Sequence, residues 1–516
     1  MTTGRALARN ALFNLGSQIA PLIVAVVAIP ILIRALGPTA FGLLTLVSTA
    51  IGYFGLFDFG IGRALTHAIA TRVGRNETDE LSAVTWTGLA LLGAFGVVGG
   101  AVLAIGTPAL IARVLNVDAA DQPAARTAFY IMAGAIPLTL IATGFRGILE
   151  AYQDFGIASA LRTPLAMASY LAPLAVLPFS HDIVAVVAAL AAVRVVGAIV
   201  HAAVCVGRYP LLRRPHFDRR LVRPLLAYGG WLTVSNVVSP IMTYLDRFMI
   251  GAILPLAAVT YYVTPFEVVS RLFIIPAAIL GVLFPAFAAT FAVDRNRTRQ
   301  LVDRAFRVII LVMFPAAFLL ATLGQEILTI WISAAFARES TLILQWLAIG
   351  VLINSAGQVA FTVLQGVGRP DLTAKTHLIE LPLYLASIWG LSHAFGLVGV
   401  AMAWTFRVSA DTVAMMALMA RPAEVSRALL LRVSALLASA VAVTAACSLL
   451  TTTQWRLVAV AVVAVAFSCG AWWFGMDLGE RDLVRGWLAR RRGLIASATG
   501  AIAPSEPAAP TDAEST

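Results

Sequence analysis

The chain has 516 residues, of which 60% are hydrophobic and 12% charged, and its formal net charge is +11. Because soluble domains carry about 25% charged residues, this composition excludes a water-soluble enzyme, a disordered chain and a disulfide scaffold. The arginines form short clusters between long apolar runs, which is typical of membrane-protein loops and argues against a nucleic-acid partner.

Fourteen apolar runs along the chain are long enough to cross a lipid bilayer as helices. A spanning helix needs about 20 mainly apolar residues, and the sequence lacks the strict alternation of barrel strands. We therefore predict an all-α polytopic membrane protein. The predicted spans are 11–33, 41–62, 81–106, 128–149, 157–179, 183–206, 228–251, 256–290, 307–323, 342–364, 377–395, 397–419, 431–450 and 456–475.

The arginines fall mainly on one side of these spans. They occupy the N-terminus and alternate loops, with the densest group between residues 208 and 223, whereas the other side carries only scattered arginines. The positive-inside rule then predicts that both termini are cytoplasmic. The first run is too long for a signal-peptide core and is expected to be retained. The tail from about residue 496 is rich in small residues and proline, and we expect it to be disordered.

The sequence also resembles itself at an offset of about 215–220 residues. Residues 73–81 match residues 293–301 at five of nine positions. Since each repeat holds an even number of spans, the two copies share one orientation, an arrangement found in transporters. The expected units are an N-terminal six-helix bundle at 1–207, a basic cytoplasmic linker at 208–227, a C-terminal six-helix bundle at 228–420, two further helices at 421–478 and a cytoplasmic tail at 479–516.

Ionisable residues inside the spans are the main indication of function, because each costs free energy unless it faces a cavity or a partner. In the seventh span, Asn236 and the pair Asp246 and Arg247 belong to a polar face with spacings of three or four residues. In the eighth span, Glu267 and Arg271 are four residues apart, in the favourable order for a helical ion pair. The pair either fastens helices together or lines a cavity and couples an ion.

Two arginines occupy equivalent mid-span positions in the two repeats. They are Arg194 in the sixth span and Arg407 in the twelfth. Asp411, one turn beyond Arg407, is expected to neutralise it. Arg194 has no acidic neighbour in sequence, so it is either a cavity cation or part of a cross-helix pair. Arg63 ends the second span, five residues after Asp58, and is either an interfacial anchor or a further cavity cation.

Several segments resemble the signatures of the polysaccharide (lipid-linked oligosaccharide) flippase family. They lie at 10–16, 29–43, 56–63, 228–236, 244–251 and 364–370. The resemblance covers roughly residues 8–475. It implies the fold of the multidrug/oligosaccharidyl-lipid/polysaccharide exporter superfamily, in which two bundles alternate access to a central cavity in the cytoplasmic membrane of a bacterium or archaeon.

The resemblance also implies a substrate and a driving force. The substrate would be a polyprenyl-pyrophosphate-linked oligosaccharide, moved without a cofactor or nucleotide by an H⁺ or Na⁺ gradient or by the membrane potential. Membrane lipids, a polysaccharide polymerase and export machinery would be its other partners. Because arginine binds phosphate oxygens bidentately, the expected substrate-binding residues are Arg63, Arg194, Arg247, Arg271 and Arg407. The expected coupling or cavity residues are Asp58, Asn236, Asp246, Glu267 and Asp411.

Two other functions fit the sequence less well. An ion-coupled multidrug exporter of the same superfamily would favour an acidic cavity, whereas cations predominate among the mid-span residues here. A membrane glycosyltransferase or polymerase would need an acid–base or metal-binding constellation. The six histidines are scattered without metal-ligand spacing, so we expect neither a catalytic centre nor a bound metal.

Overall fold

A computed structural model describes residues 4–56, 60–75, 77, 80–227 and 245–470. The regular structure of these residues is helical, and ten of the helical stretches are long and apolar enough to cross a membrane. This confirms the prediction of an all-α polytopic membrane protein. The tail that we expect to be disordered lies outside the described residues.

The first half of the chain forms helices α1 to α6. Within α1, Gly37 has a φ of +79°, a left-handed conformation that glycine adopts without steric cost. Two helical segments meet at a kink there, so α1 contains the first predicted span and most of the second. The helices are α1 (Gly4–Leu56), α2 (Ile61–Gly74), α3 (Leu81–Ala109), which continues as a π-helical turn (Leu110–Val114), α4 (Gln122–Ala151), α5 (Phe155–Val176) and α6 (Ile183–Arg208).

The second half begins with α7, which the structure describes at 245–253. Gly396 in α13 has a φ of +57° and marks a reversal between two predicted spans. The predicted span at 256–290 is broken by a 3₁₀ turn at Arg271–Phe273. The further helices are α8 (Leu256–Ser270), α9 (Ile274–Val293), α10 (Arg295–Thr322), α11 (Gly324–Trp331), α12 (Ala334–Gly366), α13 (Pro370–Ala420), α14 (Arg427–Ser448) and α15 (Thr453–Gly470).

Short polar side chains start four of these helices. The first amide groups of a helix have no partner within it, and a side-chain oxygen at the preceding position accepts a hydrogen bond from one of them. Asp182, Asp294, Ser333 and Ser426 do so for α6, α10, α12 and α14. Each cap fixes the residue at which a loop ends and a helix enters the apolar layer.

Two bundles follow from the packing of these helices. In the first, α3 packs on α4, α4 on α6, and α1 on α5; in the second, α12 contacts α8, α9, α10, α13 and α14. The bundles meet where α1 packs on α8. A Cβ at Gly42 of α1 would overlap the carbonyl oxygen of Leu256, so only glycine allows this close approach.

Hydrogen bonds join the two bundles at the ends of their helices. Arg34 Nε donates to the carbonyl of Ile332 over 2.9 Å, and Thr260 Oγ1 donates to the carbonyl of Pro38 over 2.6 Å. The backbone N–H of Asn116 donates to the carbonyl of Gly251 over 2.7 Å. By connectivity, these contacts all lie on the side of the spans opposite the arginine-rich loops. Arg34 therefore fastens the two bundles together at that side.

Candidate functional site

Asp246 and Arg247 of α7 direct their charges to different neighbours. Adjacent residues on a helix point about 100° apart, so the two side chains diverge. Both are buried, with 1% and 6% of their surfaces exposed. Arg247 NH1 donates to Thr49 Oγ1 of α1 over 3.2 Å, which places its guanidinium at the interface between the bundles.

An ion network extends from Arg247 into α8. Its NH2 donates to Glu267 Oε1 over 2.8 Å, and Arg271 NH2 donates to Glu267 Oε2 over 3.0 Å. The predicted pair between Glu267 and Arg271 is therefore confirmed, and Arg247 is an additional member. Tyr170 of α5 is close enough to interact electrostatically with all three residues. We call Arg247, Glu267 and Arg271 the interface network.

Asp246 faces the interior of the second bundle. Its Oδ2 accepts a hydrogen bond from the hydroxyl of Tyr262 over 2.9 Å, and its Oδ1 accepts one from the backbone N–H of Arg247 over 2.7 Å. Tyr384 and Arg407 of α13 are close enough to interact electrostatically with Asp246. Asp246 thus connects the interface network to polar residues on α13.

The polar residues of α13 lie on both sides of its reversal and face one another. Arg407 NH1 is 3.9 Å from Glu380 Oε2, and His377 Nε2 is 3.6 Å from Asp411 Oδ1. Asp411, which the sequence offers as a neutralising neighbour of Arg407, contacts His377 instead, and Glu380 takes the position beside Arg407. Two antiparallel helices bring these residues together more closely than one helical turn brings Arg407 and Asp411. We call His377, Glu380, Arg407 and Asp411 the α13 cluster.

The carboxylates of the α13 cluster are buried and incompletely hydrogen-bonded. Glu380 and Asp411 are 9% and 8% exposed. Both Glu380 oxygens and Asp411 Oδ1 accept no hydrogen bond from the described residues. Ligand atoms of His377, Glu380 and Asp411 lie within 4.8 Å of one another. With one arginine and two carboxylates, the cluster carries one excess negative charge when both acids are ionised, and so could accept a proton or a cation.

The structure does not bring all the predicted site residues together. Arg247, Arg271 and Arg407 of the second bundle each have a carboxylate partner. Arg194 of α6 has a buried Nε that makes no hydrogen bond to a described residue, whereas Arg63 is exposed on α2. Asp58 and Asn236 lie outside the described residues.

A family model for polysaccharide biosynthesis proteins matches residues 7–291. That is more than half of the chain. The chain belongs to the polysaccharide biosynthesis protein family. A protein of Shigella flexneri named as an O-antigen transporter is 30% identical over 403 residues, which cover 78% of this chain and 95% of that protein. The resemblance drawn from the sequence segments is confirmed.

Two solved structures share the fold of this family member at low sequence identity. The lipid II flippase MurJ, in an inward closed conformation, superposes with a TM-score of 0.66 at 13% identity, covering 89% of this chain and 98% of that one. A multidrug resistance transporter of the MATE family, inward-facing and belonging to the MOP superfamily, gives 0.63 at 14% identity, covering 81% and 98%. Both likenesses support the two-bundle polytopic fold.

Sequence reasoning missed Thr49, Tyr262, His377, Glu380 and Tyr384. One signal for part of this set is present in the sequence. His377, Glu380 and Tyr384 are spaced three and four residues apart and so lie on one helix face. An acid on such a face inside a predicted span needs a partner. That partner, Arg407, belongs to the next span and could be found only from the packing.

Proposed function

We propose that this chain is a flippase that moves a polyprenyl-pyrophosphate-linked oligosaccharide across the membrane by alternating access. The observation that carries the proposal is the buried Arg247, which joins α1 of the first bundle to Glu267 of the second. A charge network at the junction of two bundles can be remade when the bundles move. Family membership and the name of the Shigella flexneri relative support the choice of a surface-polysaccharide precursor.

The pyrophosphate is bound chiefly by the first bundle. Like Arg247 and Arg407, Arg194 has an Nε that no described residue satisfies, but unlike them it has no described carboxylate partner. A phosphate oxygen is the acceptor that such a fork matches. Arg247 and Arg271 share one carboxylate, so they retain part of their positive charge for the substrate. Two predicted cations remain: Arg407 lies beside Glu380 of the second bundle, and the exposed Arg63 contributes at the arginine-rich side.

Coupling to a proton gradient resides in the α13 cluster. Two buried carboxylates close to one another favour sharing one proton, and the proton cancels the excess charge that Arg407 leaves. Proton uptake then weakens the attraction between Arg407 and Glu380. Because Asp246 connects Arg407 to the interface network, the change in charge also alters the interactions of that network. A Na⁺ gradient and the membrane potential are the alternative driving forces.

The chain is a multi-pass membrane protein, and we place it in the cytoplasmic membrane with both termini in the cytoplasm. The asymmetric distribution of arginines supports this orientation. We propose that it acts as a transporter and not as an enzyme, and that it delivers its substrate to a polymerase and export machinery. The bundle contacts at Arg34 and Thr260 then close the outer side, as in an inward-facing state.

The deciding experiment is mass spectrometry of polyprenyl-linked oligosaccharides in a deletion strain, together with analysis of its surface polysaccharide. We expect the complete repeat unit to accumulate on its lipid while surface polymer is lost, and plasmid-borne wild-type protein to reverse both changes. Unchanged lipid intermediates with increased sensitivity to cationic drugs would overturn the proposal. That result would favour a multidrug exporter, for which the acidic α13 cluster supplies a binding group.

A further inference from the structure

The linker between the two bundles is held against the first bundle. Trp86 Nε1 of α3 donates to the carbonyl of Leu212 over 3.1 Å, and Ser82 Oγ donates to the carbonyl of Arg214 over 2.6 Å. The backbone N–H of Asp218 donates to Thr87 Oγ1 over 3.0 Å. Leu212 is 2% exposed within the apolar core of that bundle. These contacts hold the backbone of the linker against α3, so the places from which its side chains extend are set as well.

The linker presents a row of exposed arginines, which we call the linker patch. Arg208 belongs to the same loop but pairs with Asp154. The nearest acid in the loop, Asp218, has Oδ1 engaged by the backbone N–H of Arg220. The arginines of the patch are exposed and form no salt bridge with the described acids. They are Arg213, Arg214, Arg219, Arg220 and Arg223.

Large apolar side chains lie between these arginines and are also exposed. Leu211, Phe217 and Leu226 are 46%, 55% and 38% exposed. The linker connects the end of α6 to the start of the next span, so it lies where the bilayer meets water. A basic segment with exposed aromatic and aliphatic residues at that depth is typical of a surface that contacts lipid headgroups.

We propose that the linker patch binds the phosphodiester headgroups of anionic phospholipids in the adjoining leaflet. Guanidinium groups bind phosphate oxygens in a bidentate manner, while Phe217 and Leu211 enter the boundary between headgroups and acyl chains. The bonds to α3 use backbone groups of the linker and not its guanidinium groups, so binding of the arginines leaves those bonds intact. A lipid bound there holds the linker in place. The linker joins the two bundles, so the bound lipid also anchors the point at which the second bundle is attached.

The pattern of residues favours lipid over other anions. The arginines are spread along the linker with apolar residues between them, whereas a single pyrophosphate would require the guanidinium groups to converge. A nucleic acid would be bound by arginines alone or together with stacked aromatic rings. The exposed leucine side chains of the linker would contribute nothing to such binding. The matching ligand is therefore a layer of headgroups with acyl chains beneath it.

The test is native mass spectrometry of the purified full chain with phosphatidylglycerol and phosphatidylcholine of identical acyl chains. The variant Arg213→Gln/Arg214→Gln/Arg220→Gln removes three charges and keeps every backbone bond that holds the linker. A matched control, Arg297→Gln/Arg421→Gln/Arg427→Gln, removes three exposed charges from other loops on the same side. A third variant, Phe217→Ser, tests the apolar contribution separately.

We expect wild type and control to bind phosphatidylglycerol at least about tenfold more tightly than phosphatidylcholine, since each basic residue near an anionic surface contributes severalfold to affinity. The linker variant should lose that preference, and Phe217→Ser should weaken binding of both lipids. Equal losses in the linker variant and the control would overturn the proposal, as would an unchanged preference in the linker variant.

Two further measurements keep the result interpretable. Melting temperatures of all variants should agree within a few degrees, and a misfolded triple variant is replaced by Arg213→Gln/Arg220→Gln. A labelled RNA oligonucleotide serves as the competing anion, and a loss of RNA binding without a loss of lipid preference would contradict the proposal. Because lipid binding is measured without transport, failure here leaves the flippase proposal untouched, and the reverse also holds.

Discussion

The arginines of the interface network differ in burial, and this difference predicts different effects of mutation. Arg247 has 7% of its side chain exposed and Arg271 has 42%, yet both pair with Glu267. Removing one partner of a buried pair leaves an uncompensated charge, whereas exposed pairs contribute little. We expect Glu267→Gln to reduce stability by about 2–3 kcal/mol and Arg271→Gln by at most about 1 kcal/mol.

Thermal unfolding of the purified variants in detergent measures this contrast. Glu267→Gln should lower the melting temperature clearly more than Arg271→Gln does. In the double variant, loss of Arg271 should add almost nothing to loss of Glu267, because the two residues form one network. Equal decreases in melting temperature for the two single variants would show that water reaches Arg247 and that its burial does not make the loss of Glu267 more costly.

Arg194 should behave in the opposite way. Its buried Nε makes no hydrogen bond to a described residue, so removing the charge relieves desolvation and breaks no ion pair with the part of the chain that the structure describes. We expect Arg194→Gln to keep or raise the melting temperature while reducing flipping at least about tenfold, the cost of losing one charged hydrogen bond to phosphate. Export in cells expressing the variant, normalised to membrane-inserted protein, measures the second effect; normal export would remove Arg194 from the binding site.

Ion pairs within one helix could be predicted from the sequence, whereas ion pairs between helical segments could not. The Glu267–Arg271 pair was predictable because both residues lie on one helix and helical geometry fixes their approach. The Glu380–Arg407 and His377–Asp411 contacts cross the reversal at Gly396. Their formation depends on how two antiparallel segments are aligned, which the spacing of residues within one segment does not specify.

Helices α1 and α8 approach so closely that a side chain at Gly42 should force them apart. Its Cβ would overlap the Leu256 carbonyl and lie 3.1 Å from Thr260 Oγ1. We expect Gly42→Val to favour the state in which the bundles separate on this side. In a cysteine-free background, thiol labelling of Ala258→Cys from that side should rise about tenfold, a population shift of roughly 1.4 kcal/mol.

A glycine with open space provides the control for this experiment. Gly134 of α4 has no atom within 4 Å of a built Cβ, so Gly134→Ala should leave labelling of Ala258→Cys at the wild-type level. If Gly42→Val also leaves labelling unchanged, the contact between α1 and α8 does not separate during the cycle. The bundles would then open elsewhere.

The junction of α4, α5 and α6 depends on a charged hydrogen-bond centre. Asp154 accepts hydrogen bonds from Arg208 Nε over 2.9 Å and from the Tyr209 hydroxyl over 2.6 Å. These bonds, chiefly the one from Arg208, lower the pKa of the Asp154 carboxyl below its ordinary value. The stabilisation is therefore complete above the ordinary pKa of about 3.9 and is lost as pH falls through the lowered value.

Asp154→Asn keeps an acceptor and removes the charge, so it should lower the melting temperature at neutral pH. The difference from wild type should shrink as pH falls below about 4, where Asp154 of the unfolded chain takes up a proton while the folded protein still keeps the carboxylate ionised. Melting curves over this pH range measure it, with Asp118→Asn as a control because Asp118 is exposed and forms no salt bridge with a described residue. A difference independent of pH would show that charge contributes nothing at this junction.

At the scale of elements, sequence hydropathy located the helices well because the lipid requires each to be long and apolar. The short π-helical and 3₁₀ turns could not be predicted from hydropathy in the same way. The long run at 256–290 contains three prolines, yet its break falls at Arg271–Phe273, where Arg271 reaches back to Glu267. A local ion pair thus coincides with the break, and proline content alone does not position it.

At the scale of the whole molecule, the two halves use equivalent arginines differently. Arg194 of the first bundle and Arg407 of the second occupy equivalent mid-span positions in the predicted repeat. Both have an Nε that no described residue satisfies, but of the two only Arg407 lies beside a described carboxylate, that of Glu380. This asymmetry is the physical basis for separating substrate binding from ion coupling.

That separation predicts a transporter in which coupling can be removed while exchange persists. Glu380→Gln permanently removes the negative charge that the α13 cluster carries in excess, and so mimics the protonated state. In proteoliposomes with labelled lipid-linked oligosaccharide, an imposed pH gradient should no longer drive net movement by Glu380→Gln, while exchange without a gradient should continue at near the wild-type rate.

Glu424→Gln is the control, because Glu424 pairs with Arg299 at an exposed site and should keep proton-driven movement. Net movement driven by a Na⁺ gradient in wild type and lost in Glu380→Gln would identify the α13 cluster as a Na⁺ site, and proton-driven movement by Glu380→Gln would remove coupling from this cluster altogether.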